Sequence, residues 1–148
     1  MLRGNQTATV DEKGRLKIPT AFRSEIETTY ESSEKYYVSS LSGDSVLIYP
    51  LCVWQEIEER LAKLPAMHPT KSKFLDRTNY YGQEASMDKS GRILIPTLLR
   101  ESAKMDGEVV VLGSLDHLEV WNHDRFRARL AGQEFTSDDH QVLGNLGV

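Results

Sequence analysis

A thirteen-residue segment occurs twice in this chain, and that duplication limits the possible fold more than any other feature. Asp11-Glu-Lys-Gly-Arg-Leu-Lys-Ile-Pro-Thr-Ala-Phe-Arg23 aligns without a gap on Asp88-Lys-Ser-Gly-Arg-Ile-Leu-Ile-Pro-Thr-Leu-Leu-Arg100, with seven of thirteen positions identical. Repetition of this kind marks one supersecondary unit used twice. Fainter similarity continues downstream, where Leu47-Ile-Tyr-Pro and a segment bearing Trp54 correspond to Glu119-Val-Trp-Asn and a segment bearing Phe126. A unit of about 70 residues is small for an independent core, so the two copies are expected to share one.

Each unit reads the same way. A strand (residues 4–10 or 83–87) enters an Asp-x-x-Gly turn, in which Asp bonds the backbone ahead and Gly takes positive φ. A hairpin partner (15–18 or 92–95) stops at Pro19 or Pro96, because proline has no N–H for the ladder. A short helix follows, 20–29 or 97–104, with Leu98 and Leu99 on the inner side of the second. Two further strands come next (36–40 and 45–49; 108–112 and 118–121), then an amphipathic helix (51–64; 123–131). Strand edges left open in one copy are covered by the other. The expected fold is therefore β-rich α+β, a single closed barrel from two tandem repeats with flanking helices. The first repeat is assigned to residues 1–66 and the second to 78–131. A linker spans 65–70, and a polar C-terminal tail, including the acidic Asp138 and Asp139, spans 132–148.

With 39% hydrophobic and 27% charged residues the composition is globular. No apolar run reaches membrane-spanning length, and the N-terminus lacks a signal-peptide block, so a cytoplasmic protein is expected. Cys52 is the only cysteine, which excludes an internal disulfide and a thiolate zinc cluster. The four histidines are scattered, and glycine-rich phosphate loops, nucleophile elbows and His-Glu-x-x-His elements are missing. No enzyme, cofactor, metal or small-molecule ligand is expected.

The net charge is −4, so nucleic-acid binding requires a local basic patch. Cations gather at Lys13, Arg15, Lys17 and Arg23, at Lys71, Lys73 and Arg77, and at Lys89, Arg92 and Arg100, while acids gather at 25–34, 56–59 and 134–139. An arginine that begins a strand beside a tight turn stands at the barrel rim, where its planar fork suits phosphate oxygens or the O6/N7 edge of guanine. Arg15, Lys13, Lys17, Arg92 and Lys89 are the candidate DNA contacts, with Asp11 and Asp88 orienting the arginines. The competing reading is structural: Asp and Arg simply fix the turn. Arg23 and Arg100 are read as helix-surface partners of Glu25 or Glu27 and of Glu101. Because Lys13 and Lys17 become Ser90 and Leu94 in the second copy, the first is expected to dominate DNA contact. Leu94 is expected to face the core or a partner. One pair of arginines is a weak anchor, so an oligomer of aligned basic rims is expected.

At these two elements the sequence resembles the SpoVT-AbrB superfamily, and two tandem copies in 148 residues resemble the MraZ family of bacterial transcriptional regulators. The resemblance also covers the opening Met-Leu-Arg-Gly and the Leu47-Ile-Tyr-Pro segment. It implies a swapped-hairpin, double-psi type barrel completed within one chain and a ring-like homo-oligomer in the cytoplasm, associated with the nucleoid. It further implies repression of the protein's own division and cell-wall gene cluster through double-stranded promoter DNA carrying short direct repeats. The family's Asp-x-x-x-Arg signature falls on Asp11 with Arg15 and on Asp88 with Arg92. Leu2-Arg3-Gly4 stands where the family commonly has Phe-x-Gly, and the C-terminal tail matches nothing in it. The alternatives are an antitoxin-like protein-interaction module, which the duplication disfavours, and, ranked below it, a barrel-fold enzyme, which no motif supports.

Overall fold

The computed structural model describes residues 1–30 and 34–148; Glu31, in the first acidic stretch, lies outside them. The described chain is α+β, with one large antiparallel sheet, a separate two-stranded ladder and six helices. In order these are β1 (Asn5–Thr9), β2 (Arg15–Lys17), α1 (Thr20–Thr29), β3 (Lys35–Ser39), β4 (Val46–Pro50), α2 (Leu51–Ala62) and α3 (Pro69–Tyr80). The second half follows with β5 (Gln83–Ser86), β6 (Arg92–Leu94), α4 (Thr97–Ser102), β7 (Glu108–Ser114), β8 (His117–Asn122), α5 (His123–Ala131) and α6 (Ser137–Asn145).

The pairing carries the duplication into space. The large sheet runs β1-β7-β8-β4-β3-β5, and exchanging each strand for its counterpart in the other half gives the same order read from the opposite edge. The first strand of each half therefore pairs with the third strand of the other: Ala8 lies opposite Val109, and Ala85 opposite Tyr36. Beneath it β2 and β6 pair antiparallel, with Arg15 opposite Leu94, Leu16 opposite Ile93 and Lys17 opposite Arg92. The same pseudo-twofold axis passes through this ladder. Its ends are extended by Ile18 N–H donating to the Gly91 carbonyl and Ile95 N–H to that of Gly14, both at 2.9 Å.

One expectation changes here. The strands flanking each Asp-x-x-Gly turn do not form a hairpin ladder; β1 and β2 touch through a single bridge, Val10 to Leu16. The turn instead hands the chain from one sheet to the other, and the interlocking lets two small units share one core. Leu16, Ile18, Ile93 and Ile95 from the ladder pack with Val38, Val46, Ile48, Val109, Val111, Leu118 and Val120 from the sheet, all essentially inaccessible. Helices α1 and α4 plug the same core with Phe22, Ile26 and Leu99. Leu98 is exposed rather than inward, because α4 ends at Ser102 and Lys104 already has φ of 50°. So short a helix buries only a narrow stripe.

The outer sheet face is covered by α2 and by α3, whose first two residues, Pro69 and Thr70, fall in the expected linker. Trp54 of α2 stacks on Tyr37 at 4.6 Å between ring centroids and on Phe74 of α3 at 6.0 Å. The Thr78 carbonyl, near the end of α3, accepts from Tyr37 Oη (2.9 Å) and Ser39 Oγ (2.7 Å). Pro69 is the first residue of α3, the one helical position where the missing N–H costs nothing. The tail is likewise not all coil: Thr136 and Asp139 form a reciprocal capping box at the start of α6, so Asp138 and Asp139 belong to its first turn. No helix is long and apolar enough to cross a membrane among the described residues.

Gly113 of β7 marks where the N-terminus crosses the sheet. Its N–H donates to the Gly4 carbonyl at 2.8 Å, and a Cβ there would collide with the backbone of Leu2 and Arg3. Backbone cannot swing aside as a side chain does. Gly113→Val is expected to strip the first residues from β7 and lower the melting temperature by several degrees, on the order of 1–3 kcal/mol for an overpacked site; an unchanged melting curve refutes this.

Candidate nucleic-acid interface

Each Asp-x-x-Gly turn is built by its aspartate. Asp11 Oδ1 accepts from the backbone N–H of Arg15 (2.8 Å) and Lys13 (3.0 Å), while Oδ2 accepts from Arg15 Nε (3.0 Å). The second copy repeats this: Asp88 Oδ1 accepts from the N–H of Arg92 (2.9 Å) and Ser90 (2.8 Å), and Oδ2 from Arg92 Nε (3.1 Å). The turns close through Gly14 and Gly91 at φ of 84° and 78°, where a residue with a Cβ is strained. One carboxylate thus fixes the turn with one oxygen and the arginine with the other.

Tethering through Nε leaves the far edge of each guanidinium available. Among the described residues, the terminal nitrogens of Arg15 form no hydrogen bond, and Arg92 Nη1 lies 3.8 Å from Asp11 Oδ2 across the ladder. That last contact joins the two turns into one surface. Since Leu16 and Ile93 point into the core, strand alternation puts Arg15, Lys17, Arg92 and Leu94 on the opposite, outer face. Lys13 and Lys89 are exposed in the two turns beside it. All five candidate cations therefore lie on the β2–β6 ladder or its turns. Leu94, expected in the core or a partner contact, is 46% exposed on that face. The cations of the middle cluster, Lys71, Lys73 and Arg77, sit on α3 instead.

Arg23 and Arg100 do something the sequence reading missed. A Cβ on Gly14 would collide with the Arg100 guanidinium, and one on Gly91 with that of Arg23: each arginine lies against the turn glycine of the opposite copy. Arg23 is held by Glu27 at 3.0 Å, one of its expected partners. Arg100 does not pair with Glu101. It donates to the Ile95 carbonyl (3.0 Å) and Thr97 Oγ1 (2.8 Å) instead. These two arginines lock the turns from behind, and their recurrence at the end of the repeated segment was the signal.

Hydrogen bonds to the charged form lower the carboxyl pKa values. Asp11 lies below its ordinary 3.8 chiefly because the Arg15 backbone N–H is bound to it, with the Arg15 guanidinium and the Lys13 N–H adding. Asp88 is lowered in the same way, by the backbone N–H of Arg92, that of Ser90, and the Arg92 guanidinium. A folded-state value below the unfolded one contributes stability that is complete above about pH 4 and is lost as pH falls through the folded value. Melting curves between pH 5 and 2.5 are expected to show this acid limb, and the double substitution Asp11→Asn, Asp88→Asn to flatten it. An unaltered limb in the double variant would rule these carboxylates out as its source.

The histidines are engaged locally, His117 with Asp116 at 2.8 Å and His123 with Glu108. No group of three or more His, Cys, Asp or Glu side chains suited to a metal occurs among the described residues.

The family model described as "MraZ protein, putative antitoxin-like" matches residues 1–77 and 82–143, taking in most of the segment expected to be an unmatched tail. A protein of Acidobacterium capsulatum named "Transcriptional regulator MraZ" is 46% identical over 148 residues, the full length of both chains. One of the same name from Koribacter versatilis is 42% identical, again over both full lengths. Another from Tolumonas auensis is 33% identical over 85% of this chain and 82% of its own. With its two interlocked Asp-x-x-Gly-Arg turns and these full-length relatives, the chain belongs to the MraZ family.

Proposed function

We propose that this protein is a sequence-specific transcriptional regulator that binds double-stranded DNA through the outer face of the β2–β6 ladder. Arg15, Lys13, Lys17, Arg92 and Lys89 make the contacts, with Asp11 and Asp88 orienting the arginines. The observation that carries this reading is the pair of guanidiniums, each hydrogen-bonded through Nε to the aspartate of its own turn and related by a pseudo-twofold axis, with Arg92 Nη1 also reaching toward Asp11. A two-stranded ribbon has the width of the DNA major groove, and the relatives' names as transcriptional regulators agree with it.

The two repeats, residues 1–66 and 78–131, with 132–148 as the C-terminal segment, form the swapped-hairpin barrel of this reading; the bridge from Val10 to Leu16 supports closure between sheet and ladder. A chain of net charge −4 needs several basic faces in register to hold a polyanion, which favours a ring-like homo-oligomer on short direct repeats. Its target is the promoter of its own division and cell-wall gene cluster, which it represses from the cytoplasm, on the nucleoid.

Binding to duplex DNA from upstream of its own coding sequence, titrated against a scrambled duplex at several salt concentrations, tests this. A preference for the upstream duplex is expected, with a salt slope rising by roughly one unit per phosphate engaged. Equal binding to both duplexes, or a stoichiometric protein partner that blocks the ladder face, would favour an interaction module.

A further inference from the structure

Leu94 is the one apolar side chain on the outer face of the ladder. It stands directly across from Arg15 and two residues from Arg92, so guanidiniums flank it along both strands. Packing does not require it. Its pseudo-twofold counterpart is Lys17, also exposed on the same ladder, so the fold accepts a polar side chain at this site. A leucine 46% exposed amid cations adds nothing to phosphate attraction. What it offers is a contact with a small apolar group placed among negative charges, and in a duplex that group is the thymine C5-methyl, carried on the major-groove edge.

We propose that Leu94 is a base-reading residue that packs against a thymine methyl in each repeat, an inference that rests on the DNA-binding reading above. Directly opposed residues in an antiparallel pair have Cβ atoms about 5 Å apart, and successive bases of one strand are separated by about 3.4 Å along the axis. The thymine read by Leu94 therefore lies within one or two base pairs of the base edge read by Arg15. The exchange of Lys17 for Leu94 also breaks the pseudo-twofold symmetry of a face whose arginines and aspartates obey it. A symmetric face reads a site equally well in either direction. This one presents a lysine on one side and a leucine on the other, so each subunit reads its element in a single orientation, as direct rather than inverted repeats demand.

Replacing thymine with uracil removes the methyl and leaves base pairing intact, which isolates the contact. Upstream duplexes carrying uracil at one thymine position in every repeat are titrated at fixed salt with the wild type, Leu94→Ala and Leu94→Lys. For the wild type, one position is expected to lower affinity about fourfold per subunit, the worth of one buried methyl. Both variants are expected to bind the unmodified duplex less selectively and to be indifferent to uracil at that position. A wild type that prefers the upstream duplex over a scrambled one yet ignores uracil everywhere overturns the thymine assignment alone. So does a Leu94→Ala protein that keeps the uracil sensitivity, or one whose oligomer size changes on gel filtration, which would assign Leu94 to contact between copies. A wild type that does not distinguish upstream from scrambled DNA removes the underlying reading with it.

Discussion

Arg15→Ala is expected to lower affinity for the proposed upstream repeats by about 5- to 150-fold for each subunit engaged, the range for loss of one arginine reading a base edge, a loss that compounds around the proposed oligomer. The outcome follows from how Arg15 is held. Its Nε is committed to Asp11 Oδ2, which fixes the guanidinium plane before DNA arrives and reduces the rotamer entropy lost on binding. Arg15→Lys is expected to restore little, because an ammonium keeps the charge but cannot form the fork. Asp11→Ala is expected to weaken binding as well, since it frees Arg15 and removes the acceptor for the N–H groups of Arg15 and Lys13. Arg92→Ala is the informative companion. Lys17 lies directly opposite Arg92 and the Arg92 guanidinium reaches toward Asp11, so the second copy shares the face on which the first is expected to dominate. Both variants should lose affinity, Arg15→Ala more because Lys13 and Lys17 accompany it in sequence. Fluorescence anisotropy at fixed salt, with gel filtration to verify the oligomer, measures all of these. Unchanged affinity and salt slope for Arg15→Ala with the oligomer intact would sink the assignment.

Much of this surface was legible because the repeat encodes it locally. Asp at the turn, Gly at positive φ, Arg opening the strand and Pro ending it each have a reason confined to a few residues, and the copies agree. What the sequence hid is non-local. Nothing near Asn5–Thr9 says that its partner is β7 rather than β2 a few residues on; a strand-turn-strand pattern looks like a hairpin until the second copy competes for the same edge. The helix α3 was hidden by polarity: Phe74 and Thr78 supply its contacts with Trp54, Tyr37 and Ser39, too few for an apolar period, and Pro69 resembled a linker residue while acting as a helix start. Of the two places expected for Leu94, the core fails for a related reason. Alternation assigns it to the face of Arg92, but an apolar residue in a strand is ordinarily taken as inward. Only the buried pair Leu16 and Ile93 settles which face is which.

That buried pair also carries the largest expected effect on stability. Leu16 and Ile93 are opposite one another in the ladder and fully inaccessible, each contributed by a different half. Leu16→Ala or Ile93→Ala leaves a cavity where ladder and sheet meet and is expected to cost about 2–5 kcal/mol. For a chain of this length that is a fall in melting temperature of roughly 5–20 °C. Because the two side chains line the same space, the double variant should depart from additivity; a second truncation enlarges an existing cavity rather than opening another. The interlocked pairing adds a stronger requirement. The first strand of each half is held by the third strand of the other, and the ladder takes one strand from each, so neither half has a complete sheet of its own. Melting followed by Trp fluorescence, which senses Trp54 and Trp121 in different halves, should therefore coincide with melting followed by far-UV circular dichroism in wild type and both variants. If Ile93→Ala instead melted in two steps, with one half surviving the other, the shared core would be refuted and the halves would have to be regarded as domains that merely touch.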